Sequence, residues 1–302
     1  MKVGISVTSA HNVDDVRAGA RTMVERAAAA ANAELDSLFV GDHHVTPNPY
    51  YQNTAILGRM LAEWGDAPAG VLYLLPMWNP VLLAEQVATL ASIASGRFIM
   101  QCGLGRGEAE FSAFGLNIRQ RPSLFEQSLD IIRRLLTGET VSSDGRYQIE
   151  RAHISPLPPE PVEVWVGGSV DAAIDRAARL GDAWLAAPDL SMEEARHRST
   201  YYRERNAAHG REPVAVAIRR DVYVGESEQE AEETAGPIAD NYRGFDREAL
   251  VLGSVDQVAA RFRELAEQGY TDVITRSMVT DQRQALASIG RLGEVRRAVA
   301  DA

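Results

Sequence analysis

Eight short apolar runs alternate with helix-patterned segments over almost the whole chain. The runs are VGISV (3–7), SLFVG (37–41), GVLYLL (70–75), RFIMQCG (97–103), VEVWVGG (162–168), DAWLAA (182–187), PVAVAIRRDVYVG (213–225) and TDVITR (271–276). Strands that read as continuous apolar runs are covered on both faces, as in a parallel sheet under helices. Strict strand–helix alternation therefore predicts an α/β chain with one parallel sheet closed into a (β/α)8 TIM barrel; an open doubly wound sheet is the other arrangement. The length suits one barrel, so residues 1–302 are expected to form a single domain. The alternation breaks at about 138–161. There GETVSSDGRYQIE predicts a small hairpin turning at Asp144-Gly145, and PLPPEP an extended proline segment.

A barrel carries its chemistry in the loops that follow strand C-termini. The second run leads into GDHHVTPNPYYQN (41–53), which presents Asp42, His43 and His44. A histidine exchanges protons near neutral pH, and the adjacent acid is expected to orient it. After the third run, Leu72 and Tyr73 are expected to line an apolar wall for a planar ring. The fourth run continues as CGLGRGEAEFSAFG (102–115). Its Gly103-x-Gly105-x-Gly107 spacing is not the dinucleotide fingerprint, and no Gly-Lys-Ser/Thr follows for a Walker loop. Glycine backbone can still approach an anion, and the Arg106 fork suits phosphate or carboxylate. Glu108 is a candidate acid beside the same loop. After the fifth run, Gly167, Gly168 and Ser169 precede a helix pattern, where free N–H groups form an anion site and Ser169 or Asp171 is expected to cap. No metal site is expected, because the remaining histidines lack ligand spacing.

Charge and composition narrow the partners. A net charge of −11 disfavours nucleic acid and anionic membrane. A single cysteine permits no intrachain disulfide. No 18-residue apolar stretch and no secretory leader pattern are present, so a cytoplasmic protein with no membrane association is expected.

Several of these segments together resemble the bacterial luciferase-like superfamily of flavin-dependent monooxygenases and F420-dependent oxidoreductases. They are VGDHH, LLPMWNPVLLAEQVATLASIASGRF (74–98), the glycine loop ending in FG (114–115), LTGETVSSDGRYQ, PLPPEPVEVWVGGS and AARLGDAW. The resemblance covers residues 1–190 well and the remainder loosely. It implies a luciferase-like barrel, a homodimer, and a cofactor across the C-terminal face. It further implies a catalytic role for His43, a proton-donor role for Glu108, and a phosphate-binding role for Gly167, Gly168 and Ser169. Gly105, Arg106 and Gly107 would contact cofactor or substrate. A non-prolyl cis peptide near Leu72 would support the ring. Asn79 stands where the family often has histidine, which favours the F420 branch. The expected activity is F420-dependent hydride transfer to or from a small organic substrate, with His43, oriented by Asp42, as base and Glu108 as acid. The alternatives are a two-component monooxygenase using reduced FMN, a non-catalytic flavin-binding protein, and a metal-dependent hydrolase.

Overall fold

The computed structural model describes residues 1–300. The chain begins β1 (Lys2–Val7), α1 (Val16–Asn32), β2 (Leu38–Val40), α2 (Asn53–Met60), β3 (Ala69–Leu74), α3 (Pro80–Ile93), β4 (Phe98–Gly103), α4 (Glu108–Ala113) and α5 (Arg121–Leu136). It continues through β5 (Val141–Asp144), β6 (Gln148–Ala152), β7 (Glu163–Gly167), α6 (Asp171–Leu180), β8 (Ala183–Ala186) and α7 (Met192–Ala208). The last third is β9 (Ala215–Val224), α8 (Glu228–Ala239), β10 (Val251–Gly253), α9 (Val255–Glu267), β11 (Asp272–Ser277) and α10 (Gln282–Ala300).

Strands β1, β2, β3, β4, β7, β8, β9 and β11 pair in parallel in that order. The β9–β11, β11–β1 and β8–β9 ladders close the ring, so the sheet is a barrel and not an open sheet. Strands β5 and β6 form the expected antiparallel hairpin, and β10 adds a short parallel rung outside the ring on β9. The sequence pattern did not single out α2, α4 or β10, each too short to show a clear period.

The alternation of side chains along each strand divides the core in two. Phe39, Ile99, Trp165, Ala183, Ala217 and Ile274 fill the barrel interior. Their neighbours Val40, Val71, Tyr73, Met100, Cys102, Val164 and Val166 pack outward against the helices. Helix starts follow local chemistry. Asn79 accepts N–H bonds from Val81 and Leu82 at 3.0 and 3.2 Å and precedes Pro80, which opens α3. Ser191 with Glu194, and Ser254 with Gln257, form capping boxes on α7 and α9.

Inward positions set the shape of the C-terminal mouth. Pairing registers place Ser6 beside Phe39, and Leu72 beside Gln101. Two residues on, Gly41, Gly103 and Gly167 take the same inward face, so this side of the mouth is left open. A separate cavity of about 580 Å³ lies at the opposite, N-terminal end, lined by Lys2, Asp36, Trp64, Arg97 and Arg296. Two of its arginines are paired, Arg97 with Glu163 and Arg296 with Asp36 at 2.8 Å, and it lies away from the strand C-termini.

The expected cis peptide near Leu72 is not found. Ser155-Pro156 carries the one cis bond among the described residues, and β3 runs in unbroken register with β4 from Ala69↔Phe98 to Leu74↔Gly103.

Candidate active site

The loop after β2 is held by a buried carboxylate. Asp42 is 1% exposed, and its Oδ2 accepts from the Leu74 N–H at 2.8 Å and from Trp78 Nε1 at 2.9 Å. Its Oδ1 faces His44 Nε2 at 3.2 Å. The acid next to His43 in sequence is therefore paired with His44, and it does not orient His43 as expected. Consecutive side chains leave an extended loop in opposite directions, and this puts the second histidine over the carboxylate.

His44 is half-buried between Phe114 and Trp78, with ring centroids at 5.0 and 5.8 Å. Burial alone lowers its pKa. The Asp42 carboxylate, 3.2 Å away, and the charge of Glu110 outweigh that, and the net pKa is raised above the ordinary histidine value. A pKa that is higher in the folded than in the unfolded chain adds stability in full below the unfolded value, and the increment is lost as pH rises through the folded value. The stability difference between the native chain and His44→Gln is thus expected to shrink as pH rises from 5 to 9. Urea unfolding across that range measures it; a difference that stays flat would mean that the pair is not charged.

His43 lies on the other side of the loop and is 47% exposed. Its Nδ1 lies 3.4 Å from Glu110 Oε1, and its ring meets Tyr50 edge-on at 5.8 Å. The same Glu110 oxygen accepts the His44 backbone N–H at 3.0 Å. Glu110 is thus the acid that binds the histidine pair, and sequence reasoning passed over it in favour of Glu108. The signal was there: Glu108 and Glu110 both stand in the first turn of α4.

Glycine spacing explains how Glu110 reaches so far. A Cβ on Gly107 would fall 2.6 Å from Glu110 Oε2, so a larger residue there would displace the Glu110 carboxylate from this pose. Gly105 has φ +73°, a left-handed conformation that favours glycine. Its carbonyl accepts from Arg121 at 3.3 Å, which secures the loop to α5. Arg106 and Glu108 are exposed at the rim.

The remaining site candidates divide clearly. Leu72 is half-exposed on the inward face. Tyr73 is 0% exposed and points outward toward Thr54, so only its backbone could meet a ligand in the mouth; burial pushes its phenol pKa up. Phe111, also buried, packs with Leu74 and Met77 under the loop. Asn53 ties α2 to β3 by donating to the Leu72 carbonyl at 3.0 Å. At the end of β7, Gly168 leaves room for Ala173, onto which a Cβ would intrude at 2.4 Å. Neither Ser169 nor Asp171 caps α6. Val170 occupies the cap position with no side-chain bond, so the N–H groups that open the helix have no cap acceptor. Beneath the mouth, Gln101 is 4% exposed and its Nε2 has no hydrogen-bond partner. Among the described residues, no three His, Cys, Asp or Glu side chains converge as metal ligands, and no helix is long and apolar enough to cross a membrane.

Fold and site together define a (β/α)8 barrel with a histidine pair, held by Asp42 and Glu110, in a loop at its C-terminal mouth. The chain belongs to the luciferase-like monooxygenase family, whose profile matches residues 1–302. It is similar to the F420-dependent glucose-6-phosphate dehydrogenase of Kribbella flavida, with 30% identity over 185 residues, 58% of this chain and 55% of the relative. It is also similar to the F420-dependent hydroxymycolic acid dehydrogenase of Mycobacterium tuberculosis, with 27% identity over 254 residues, 78% of this chain and 65% of the relative. The chain thus spans 55% and 65% of the length of these two curated relatives. Among solved structures, the monooxygenase RslO1 from Streptomyces bottropensis shares the fold, with a TM-score of 0.87 at 18% identity over 97% of this chain and 98% of that one.

Proposed function

We propose that this protein is an oxidoreductase that binds coenzyme F420 at the C-terminal mouth and moves hydride between it and a small organic substrate. The observation that carries this reading is an exposed His43 held by Glu110, above a loop fixed by the buried Asp42–His44 pair. The similarity to F420-dependent dehydrogenases supports the choice of coenzyme.

The mouth suits such a group. Gly41, Gly103 and Gly167 leave space for a flat ring beside Leu72, and the unpartnered Gln101 amide offers a donor below it. The uncapped start of α6, with Gly167, Gly168 and Ser169, is suited to a phosphate, and Arg106 on the Gly105–Gly107 loop adds positive charge. Bound F420 supplies a ring carbon that accepts or donates hydride. His43 holds or removes the proton of the reacting substrate group, with its Nδ1 facing Glu110 Oε1 at 3.4 Å to orient the ring. Glu108, exposed on the same rim, is the second proton-exchanging group. Homodimerisation and a cytoplasmic location complete this reading.

Titration of the purified protein with F420 and, separately, with FMN tests it by fluorescence. Micromolar binding of F420 and much weaker binding of FMN is the expected result. Preference for reduced FMN would transfer the protein to oxygen-dependent chemistry, and binding of neither would remove the proposed site.

A further inference from the structure

Three arginines converge on one buried carboxylate at the C-terminal ends of β9 and β11. Asp221 is 0% exposed, and its Oδ2 accepts from Arg219 Nη2 at 3.1 Å. Arg243 Nη1 lies 3.9 Å from the same oxygen, and Arg276 Nε 3.9 Å from Oδ1. Pairing registers set Arg219 beside Ile274 and Asp221 beside Arg276, and Ile274 belongs to the barrel interior, so this cluster faces inward. The three arginine side chains keep 21, 32 and 23% exposure, so the mouth still reaches them.

A single guanidinium would neutralise Asp221. Three guanidinium charges against one carboxylate leave a local excess of two positive charges, in a chain whose net charge is −11. Gathering like charges in a half-buried place is costly unless something else offsets them. The cluster is also incompletely bonded. Arg219 Nε and Asp221 Oδ1 are buried without a hydrogen-bond partner, and Arg276 Nε reaches only Thr8 Oγ1, at 3.3 Å. Burial lowers the Arg219 pKa to about 10, which still leaves it cationic at neutral pH. Arg243 is braced from outside by Phe245, its guanidinium 5.1 Å from the ring centroid.

Position around the ring separates this cluster from the cofactor loops. In the order β1, β2, β3, β4, β7, β8, β9, β11, strands β9 and β11 stand opposite β3 and β4. The segments suited to the coenzyme follow β3, β4 and β7. The geometry points to an anion seat: Arg219, Arg243 and Arg276, arranged by Asp221, receive a carboxylate or phosphate group of the organic substrate. Guanidinium forks match both groups by paired hydrogen bonds. This inference rests on the proposed cofactor position for assigning the anion to the substrate, but not for the anion seat itself.

Calorimetric titration with inorganic phosphate, on protein saturated with F420, tests it. Arg276→Gln and, independently, Arg243→Gln are each expected to weaken phosphate binding about tenfold or more, with F420 affinity unchanged within about twofold. Asp221→Asn, if folded by circular dichroism, is expected to bind phosphate more tightly, because it removes the one competing anion. Equal phosphate affinity in the native chain and both arginine variants overturns the seat. Loss of F420 affinity in those variants, with affinity retained for the tail-less deazaflavin core, would overturn the substrate assignment and give the seat to the coenzyme tail. If the native chain binds neither F420 nor FMN, the cofactor reading fails separately, and a phosphate affinity that still depends on Arg276 supports the seat alone.

Discussion

Replacing Asp42 with alanine is expected to destabilise the protein by about 3 kcal/mol or more, the range for breaking a buried charged network. The Leu74 N–H and the Trp78 indole N–H lose their acceptor inside the protein, and His44 loses its counter-charge. Each stranded buried donor costs roughly 1–3 kcal/mol. For a chain of this size the melting temperature should fall by roughly 5–10 °C. Asp42→Asn retains an acceptor and should lose less than half as much. A thermal scan of both variants measures this, and an alanine variant melting with the native chain would mean that the loop does not depend on Asp42.

His43→Ala is expected to lower turnover about 100-fold or more, while F420 affinity stays within a few-fold of native. The side chain is half in solvent, and its contacts are with Glu110 and the edge of Tyr50. The assay uses whichever organic substrate a screen couples to F420 oxidation or reduction. A smaller loss is expected for Glu110→Gln, which keeps an acceptor near Nδ1 but removes the charge. A fully active His43→Ala enzyme would exclude the imidazole from proton transfer. Loss of F420 binding in that variant would instead make His43 a cofactor ligand.

The two variants concern neighbouring residues that the sequence pattern treats as one motif. Asp42, His43 and His44 appear as a single polar cluster at a strand end, and chain adjacency suggests an Asp42–His43 pair. The backbone turns the side chains to opposite sides, so the carboxylate meets the second histidine and the first reaches Glu110, 67 residues away. Adjacency in the chain is a poor guide to pairing wherever successive side chains point apart. The same alternation separates Leu72 from Tyr73: one faces the mouth, the other is sealed beneath α2.

What the chain order alone determined is a parallel sheet under helices, with a closed barrel favoured over an open doubly wound sheet. Closure itself was shown by the β8–β9, β9–β11 and β11–β1 ladders. The position of the site followed, because loops after strand ends are where a barrel can vary without disturbing its core. The hairpin at 141–152 and most helix starts were equally legible, being local chemistry of caps and turns. Only the tertiary structure decided the partners. Glu110 over Glu108, Asp42 with His44, an α6 start without a side-chain cap, and Arg219, Arg243 and Arg276 around Asp221 all depend on strand register and on which elements meet at the mouth. Periodicity carries which face a residue takes, but the distance between two faces exists only once the ring has closed.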